Sequence, residues 1–178
     1  FYMQPRWSPD GRFFAYVGWD HPQMPWDGTT LYVAPVNAPD HEAGLPWLGE
    51  ARAVAGGTNV SVFQPEFTSD GGGLIFVSDE TGWGKLSLLE LATGVRRRIT
   101  TAEADHGTPA WIQGLRTYVV TGGGRFLYAL VPSDAKSDEF DAVSRRWKQQ
   151  GERLEGEVER LELPESVRGM LDMAEHKP

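Results

Sequence analysis

The chain has 178 residues, 40% of them hydrophobic and 24% charged, enough for one soluble globular domain with a buried core. A formal net charge of −8 argues against binding a phosphate backbone, so no nucleic-acid partner is expected. The absence of cysteine excludes a disulfide framework and a thiolate metal site without fixing the compartment, and no apolar run approaches the roughly 18 residues of a membrane span, so no membrane partner is expected.

Glycine (21) and proline (12) are scattered through apolar runs, which predicts many tight turns and an all-β chain. The start, Phe1-Tyr2-Met3-Gln4, has neither an initiator methionine nor a basic signal-like segment and reads as part of something longer. The next residues, Gln4-Pro5-Arg6-Trp7-Ser8-Pro9-Asp10-Gly11, align without a gap with Gln64-Pro65-Glu66-Phe67-Thr68-Ser69-Asp70-Gly71. A weaker third copy starts at Thr108-Pro109-Ala110-Trp111, its turn replaced by Ile112-Gln113-Gly114-Leu115. In the first copy Ser-Pro-Asp-Gly specifies a chain reversal: proline presets φ, aspartate bonds back to the backbone and glycine takes the positive φ.

Apolar and β-branched runs after each turn predict antiparallel strands at Phe13 to Trp19 and Leu31 to Val36, at Leu74 to Ser78 and Leu86 to Leu91, and at Thr117 to Thr121 and Phe126 to Val131. Val95 to Thr100 reads as a charged outer edge. Four strands per repeat make a propeller blade, and the repeats lie about 60 and then 44 residues apart, against about 40 to 50 for typical blades. Two insertions, Asp20 to Thr30 and Asn37 to Glu50, lengthen the first. Trp7, Phe67 and Trp111 are expected as wedges between blades. The fold expected is therefore all-β: a partial β-propeller of about three four-stranded antiparallel blades over residues 1–136, with open blade faces suited to self-association. From Ser137, a candidate N-cap, the residues Phe140, Ser144, Trp147, Gly151, Leu154, Val158 and Leu161 recur at helical spacing, predicting an α-helical tail over residues 137–178.

The densest cluster of reactive side chains is Trp19-Asp20-His21-Pro22-Gln23-Met24-Pro25-Trp26-Asp27-Gly28. Asp20, His21 and Asp27 could form an acid–base or metal constellation; the alternatives are a turn with Trp19 and Trp26 packed on the propeller, or a loop that shapes a substrate cavity. No second ligand falls at a suitable spacing, and Pro22 and Pro25 favour a rigid loop, so no metal, cofactor or catalytic residue is assigned. Gly82-Trp83-Gly84-Lys85-Leu86 lacks the Ser or Thr of a phosphate loop, and Gly122-Gly123-Gly124 lacks the helix that dinucleotide binding requires. His41, His106 and His176 stand far apart, and no Gly-x-Ser-x-Gly nucleophile elbow occurs anywhere.

Trp7-Ser8-Pro9-Asp10-Gly11 and the Phe-Ala-Tyr-Val strand after it resemble the TolB-like repeats of prolyl oligopeptidase family serine peptidases. The loop from Trp19 to Gly28, the run Phe76-Val77-Ser78-Asp79-Glu80-Thr81-Gly82-Trp83 and Pro109-Ala110-Trp111 are similar to the dipeptidyl-peptidase and acylaminoacyl-peptidase-like branch, over about residues 1 to 121. The resemblance implies a non-catalytic propeller segment that gates peptide substrates to an α/β-hydrolase domain outside this chain, where the Ser, Asp and His of the triad lie. Trp19, Asp20, His21, Trp26 and Asp27 are then the candidate access loop. The rival expectations are a stand-alone TolB-like propeller that binds another protein, and a truncated fragment without activity.

Overall fold

A computed structural model describes residues 1–38, 46–108, 110, 114–121, 126–131 and 157–162. Blade 1 comprises β1 (Tyr2–Trp7), β2 (Phe13–Gly18) and β3 (Thr30–Asn37), with β5 (Arg52–Gly56) as its fourth strand and the short β4 (Trp47–Leu48) paired to the far end of β3. Blade 2 is the four-stranded meander β6 (Val62–Phe67), β7 (Gly73–Ser78), β8 (Lys85–Glu90) and β9 (Arg96–Arg98). The third sheet runs β10 (Tyr118–Thr121), β11 (Phe126–Val131), β12 (Glu157–Glu162), and all neighbouring strands are antiparallel. The expected strands are found, and the insertion from Asn37 supplies β4 as an extra rung on blade 1.

The hairpin turns show why the repeat has its sequence. Ser8 Oγ donates to Asp10 Oδ1 (2.6 Å) and accepts from Phe13 N (2.9 Å), while Asp10 Oδ1 also accepts from Arg12 N (3.0 Å). Thr68 and Asp70 repeat the pattern on Gly72 N and Gly73 N. Gly11 and Gly71 take φ of 71° and 72°, a region in which a side chain is strained. Around Asp10 burial pushes the pKa up, but the bonds from Ser8 and Arg12, with the Arg12 guanidinium, outweigh it and hold the carboxyl below its usual value.

Burial follows position in the stack. All six residues of β7 are buried, because blade 2 is covered on both faces, and its Leu-Ile-Phe-Val run is apolar without alternation. On β2 only one face is covered: Ala15 and Val17 join the core with Leu31, Val33, Val62 and Leu74, while Phe14 and Tyr16 stay half-exposed on the other. Trp7 falls on that open face, 58% exposed and tilted against Phe14 at 4.8 Å between ring centres. The expected wedge between blades is therefore corrected for Trp7, whose register partner on β2 is Phe14 rather than a core residue; Phe67 packs against the core, and Trp111 lies outside the described residues.

Glutamines clasp the blades instead. Gln4 and Gln64 have φ of 53° and 51° where the ladders slip register, between Met3 and Arg6 and between Phe63 and Glu66, the geometry of a β-bulge. Each bulge turns a buried amide onto the next blade. Gln4 Oε1 accepts from Gln64 N (2.6 Å); Gln64 Oε1 accepts from Thr117 N (2.6 Å) and its Nε2 donates to Tyr118 O (2.7 Å). Glu66 joins the same seams with its carboxylate, which accepts from Arg6 (3.2 Å) and from Arg116.

Of the helix expected from Ser137, residues 137–156 and 163–178 lie outside the described residues. Residues 157–162 are a strand, with Val158 opposite Leu130 and Leu161 opposite Leu127. For Val158 and Leu161 the helical reading is thus corrected: pairing to the free edge of β11 overrides the local 3.6-residue periodicity.

Candidate functional site

The loop between β2 and β3 is held by its own backbone and by blade 2. Gln23 N donates to Asp20 O (3.1 Å), and Asp27 N and Gly28 N both donate to Met24 O (2.9 and 3.3 Å). Asp27 Oδ2 accepts from Met24 N (3.0 Å), so its carboxylate caps the turn. From blade 2, Ser61 Oγ donates to Pro25 O (2.7 Å). The His21–Pro22 bond is cis, and Gly28 is packed so closely that a Cβ would run into the Thr58 carbonyl.

Five residues were expected to make the site. Trp19 and Asp20 line a cavity of 370 Å³ on the open side of blade 1, together with Tyr2, Tyr16, Gly18, Gln23 and Tyr32. His21 and Asp27 are exposed and Trp26 half-buried, and none of these three lines the cavity. Of the three residues that could form an acid–base constellation, Asp27 has its carboxylate engaged in its own turn. Among the described residues no group of three His, Cys, Asp or Glu could hold a metal ion.

Two further sets of residues complete this end of the blades. Tyr16 stacks on Tyr32 (5.1 Å, 18°) and meets Tyr2 edge-on (5.6 Å); the strict alternation on β2 puts Phe14, Tyr16 and Gly18 on one face, the signal from which this cluster could have been found. Burial, with the neighbouring Tyr2 and Tyr32, raises the Tyr16 pKa. On blade 2 the equivalent turn, between β7 and β8, carries Asp79, whose Oδ1 accepts from Ser61 N (2.7 Å), and its Gly84 N donates to Oδ1 of Asp105 (2.6 Å), which comes from the segment after β9. Burial raises the Asp79 pKa; the bond from Ser61 opposes this, and the like charges of Asp105 and Glu80 add to it.

No protein-family model and no curated protein matches the chain. Among solved structures it is similar to a puromycin-hydrolysing peptidase of Mycobacterium tuberculosis, with 34% identity and a TM-score of 0.64 over 74% of this chain and 19% of that one. Puromycin hydrolase matches over the same shares, with 33% identity and a TM-score of 0.63. The chain thus spans about a fifth of the length of these peptidases. TolB from Acinetobacter baumannii, 16% identical, matches 92% of this chain and 30% of its own with a TM-score of 0.51, a likeness of fold alone. Blades with this repeat, aligned at this identity to those peptidases and shared in fold with TolB, show that the chain belongs to the prolyl oligopeptidase family as part of its TolB-like β-propeller domain.

Proposed function

We propose that this segment serves a serine peptidase without contributing to bond cleavage: the loop from Trp19 to Asp27 shapes and gates the path of peptides towards an α/β-hydrolase domain outside this chain. The observation that carries the reading is the way the loop is built. It is fastened to blade 2 through Ser61 and Pro25 and capped by Asp27, so it keeps one shape while presenting Trp19 and Asp20 beside a cavity. A fixed, wide rim of this kind selects by size and shape rather than by chemistry. The test is made in the full-length parent. Replacing Trp26 or Asp27 alters preference among peptides of different length, while reaction with a small serine-directed inhibitor is retained; equal loss of both would assign these residues to folding alone.

The exposed face of blade 1 favours one addition. Tyr2 and Trp7 are 74% and 58% exposed beside Phe14 and Tyr16, a contiguous aromatic surface of the kind that marks an interface. In the isolated chain this face drives self-association.

A further inference from the structure

Two turns joined through Ser61 each hold one large apolar side chain out in solvent. In the loop between β2 and β3, Met24 is 45% exposed, yet its backbone is fixed at both ends: its N–H donates to Asp27 Oδ2 (3.0 Å) and its carbonyl accepts from Asp27 N and Gly28 N. In the turn between β7 and β8, Trp83 is 39% exposed. It stands between Gly82, whose N–H donates to Asp79 O (2.7 Å), and Gly84, whose N–H donates to Asp105 Oδ1 (2.6 Å). Ser61, itself buried, ties the two together. Its Oγ donates to Pro25 O (2.7 Å), its N–H donates to Asp79 Oδ1 (2.7 Å) and its carbonyl accepts from Asp79 N (3.2 Å). The neighbour of Met24 is thereby bonded to the residue that opens the turn of Trp83.

A core lies within reach of Trp83, since all of β7 and nearly all of β8 are buried beside its turn, yet the indole stays outside it. Single exposed apolar residues are ordinary on a protein surface; here two of them stand on turns that share a hydrogen-bonded link. A side chain carried on a fixed backbone gives up little freedom when a ligand covers it. Tryptophan brings a large rigid contact area and methionine a polarizable one that adapts to varied shapes. We propose that Met24 and Trp83 are specificity-determining contacts of the access path, which receive a bulky apolar side chain of the entering peptide. Such contact is non-directional and grows with the apolar area covered, so it reads the bulk of one side chain. The inference rests on the gating reading and adds to it a substrate class, peptides that carry a large apolar residue.

The experiment uses the full-length parent and peptides of one length, compared in pairs that differ only in Phe against Ala at a single position, the pair being moved along the peptide. At one position the parent favours Phe in kcat/KM. Trp83→Ala and Met24→Ala each cut that preference several-fold through KM with kcat retained, the mark of a contact made alike in ground and transition state. Trp83→Phe and Met24→Leu, which keep an apolar side chain, retain most of it. No preference for Phe at any position overturns the proposal, as does a preference that survives either alanine substitution. So does an equal loss of rate on Phe and Ala peptides, which would make the two residues structural. Because peptide length is constant, a length effect at Trp26 and Asp27 with no loss of Phe preference here strikes this inference alone, whereas no length effect there strikes the reading beneath it.

Discussion

Gln64 pins the seam between blade 2 and the third sheet through both ends of one buried amide, beside the Glu66–Arg116 pair. Its truncation to alanine leaves Thr117 N and Tyr118 O buried without partners, a loss of about 3 kcal/mol at 1 to 3 kcal/mol for each stranded group, to be read from denaturant unfolding. Gln4→Ala strands only Gln64 N and costs about half as much by the same reckoning. Asp79 makes the opposite prediction. Its pKa is raised in the folded chain, chiefly by burial. Its contribution to stability is therefore greatest below the ordinary carboxylate range and is lost as pH rises through the folded value. Asp79→Asn keeps an oxygen to accept from Ser61 N but carries no charge, so it stabilises the chain at neutral pH and flattens this acid-side dependence, measured as melting temperature against pH. The aligned Gln-Pro pairs were visible in the sequence, yet their function was not: an amide that reaches a neighbouring blade from a bulge leaves no periodic trace along its own strand.

At the scale of the hairpins, sequence and structure agree because the turn is built from local bonds. Ser8, Asp10 and Gly11 sit within a few residues of the groups they satisfy, and the same holds at Thr68, Asp70 and Gly71. What the motif does not disclose is its surroundings. Gly11 has open space at the Cβ position, whereas a Cβ on Gly71 would stand 2.7 Å from the Asp10 carboxylate of blade 1. Gly11→Ala is thus expected to cost only the backbone strain of positive φ, about 1 kcal/mol, and Gly71→Ala measurably more in the same unfolding assay. The last strand shows the opposite failure. Val158 and Leu161 fit a helix by spacing, but the edge of β11 was unpaired and its hydrogen-bonding groups decide the conformation.

Across the whole molecule, the ladder of blades was legible from the repeat, while the exposure of Trp7 was not, since its aligned counterpart Phe67 does pack against the core. An aromatic ring at the same repeat position meets the core in one blade and open space in the other. Of the candidate site, Trp19 and Asp20 were readable because reactive residues crowd the loop; Tyr2, Tyr16 and Tyr32 were not, because each belongs to a different strand and only pairing brings them together. The open aromatic face predicts that the isolated chain sediments as a concentration-dependent oligomer, and that Tyr2→Ser with Trp7→Ser shifts it towards monomer at the same concentration.

The glutamine clasp has a sense of direction. Gln4 reaches forward to blade 2 and Gln64 forward to the third sheet, so each joint is a hook on one side and an eye on the other, and one blade cannot be turned around in the row. Such an array couples nearest neighbours only. Cutting the hook at Gln64 would therefore loosen the joint to the third sheet, leaving it to the Glu66–Arg116 pair and the Tyr118 hydroxyl, while the joint between the first two blades, fastened by Gln4, stays closed. The order in which the blades let go is written into the direction of a side chain.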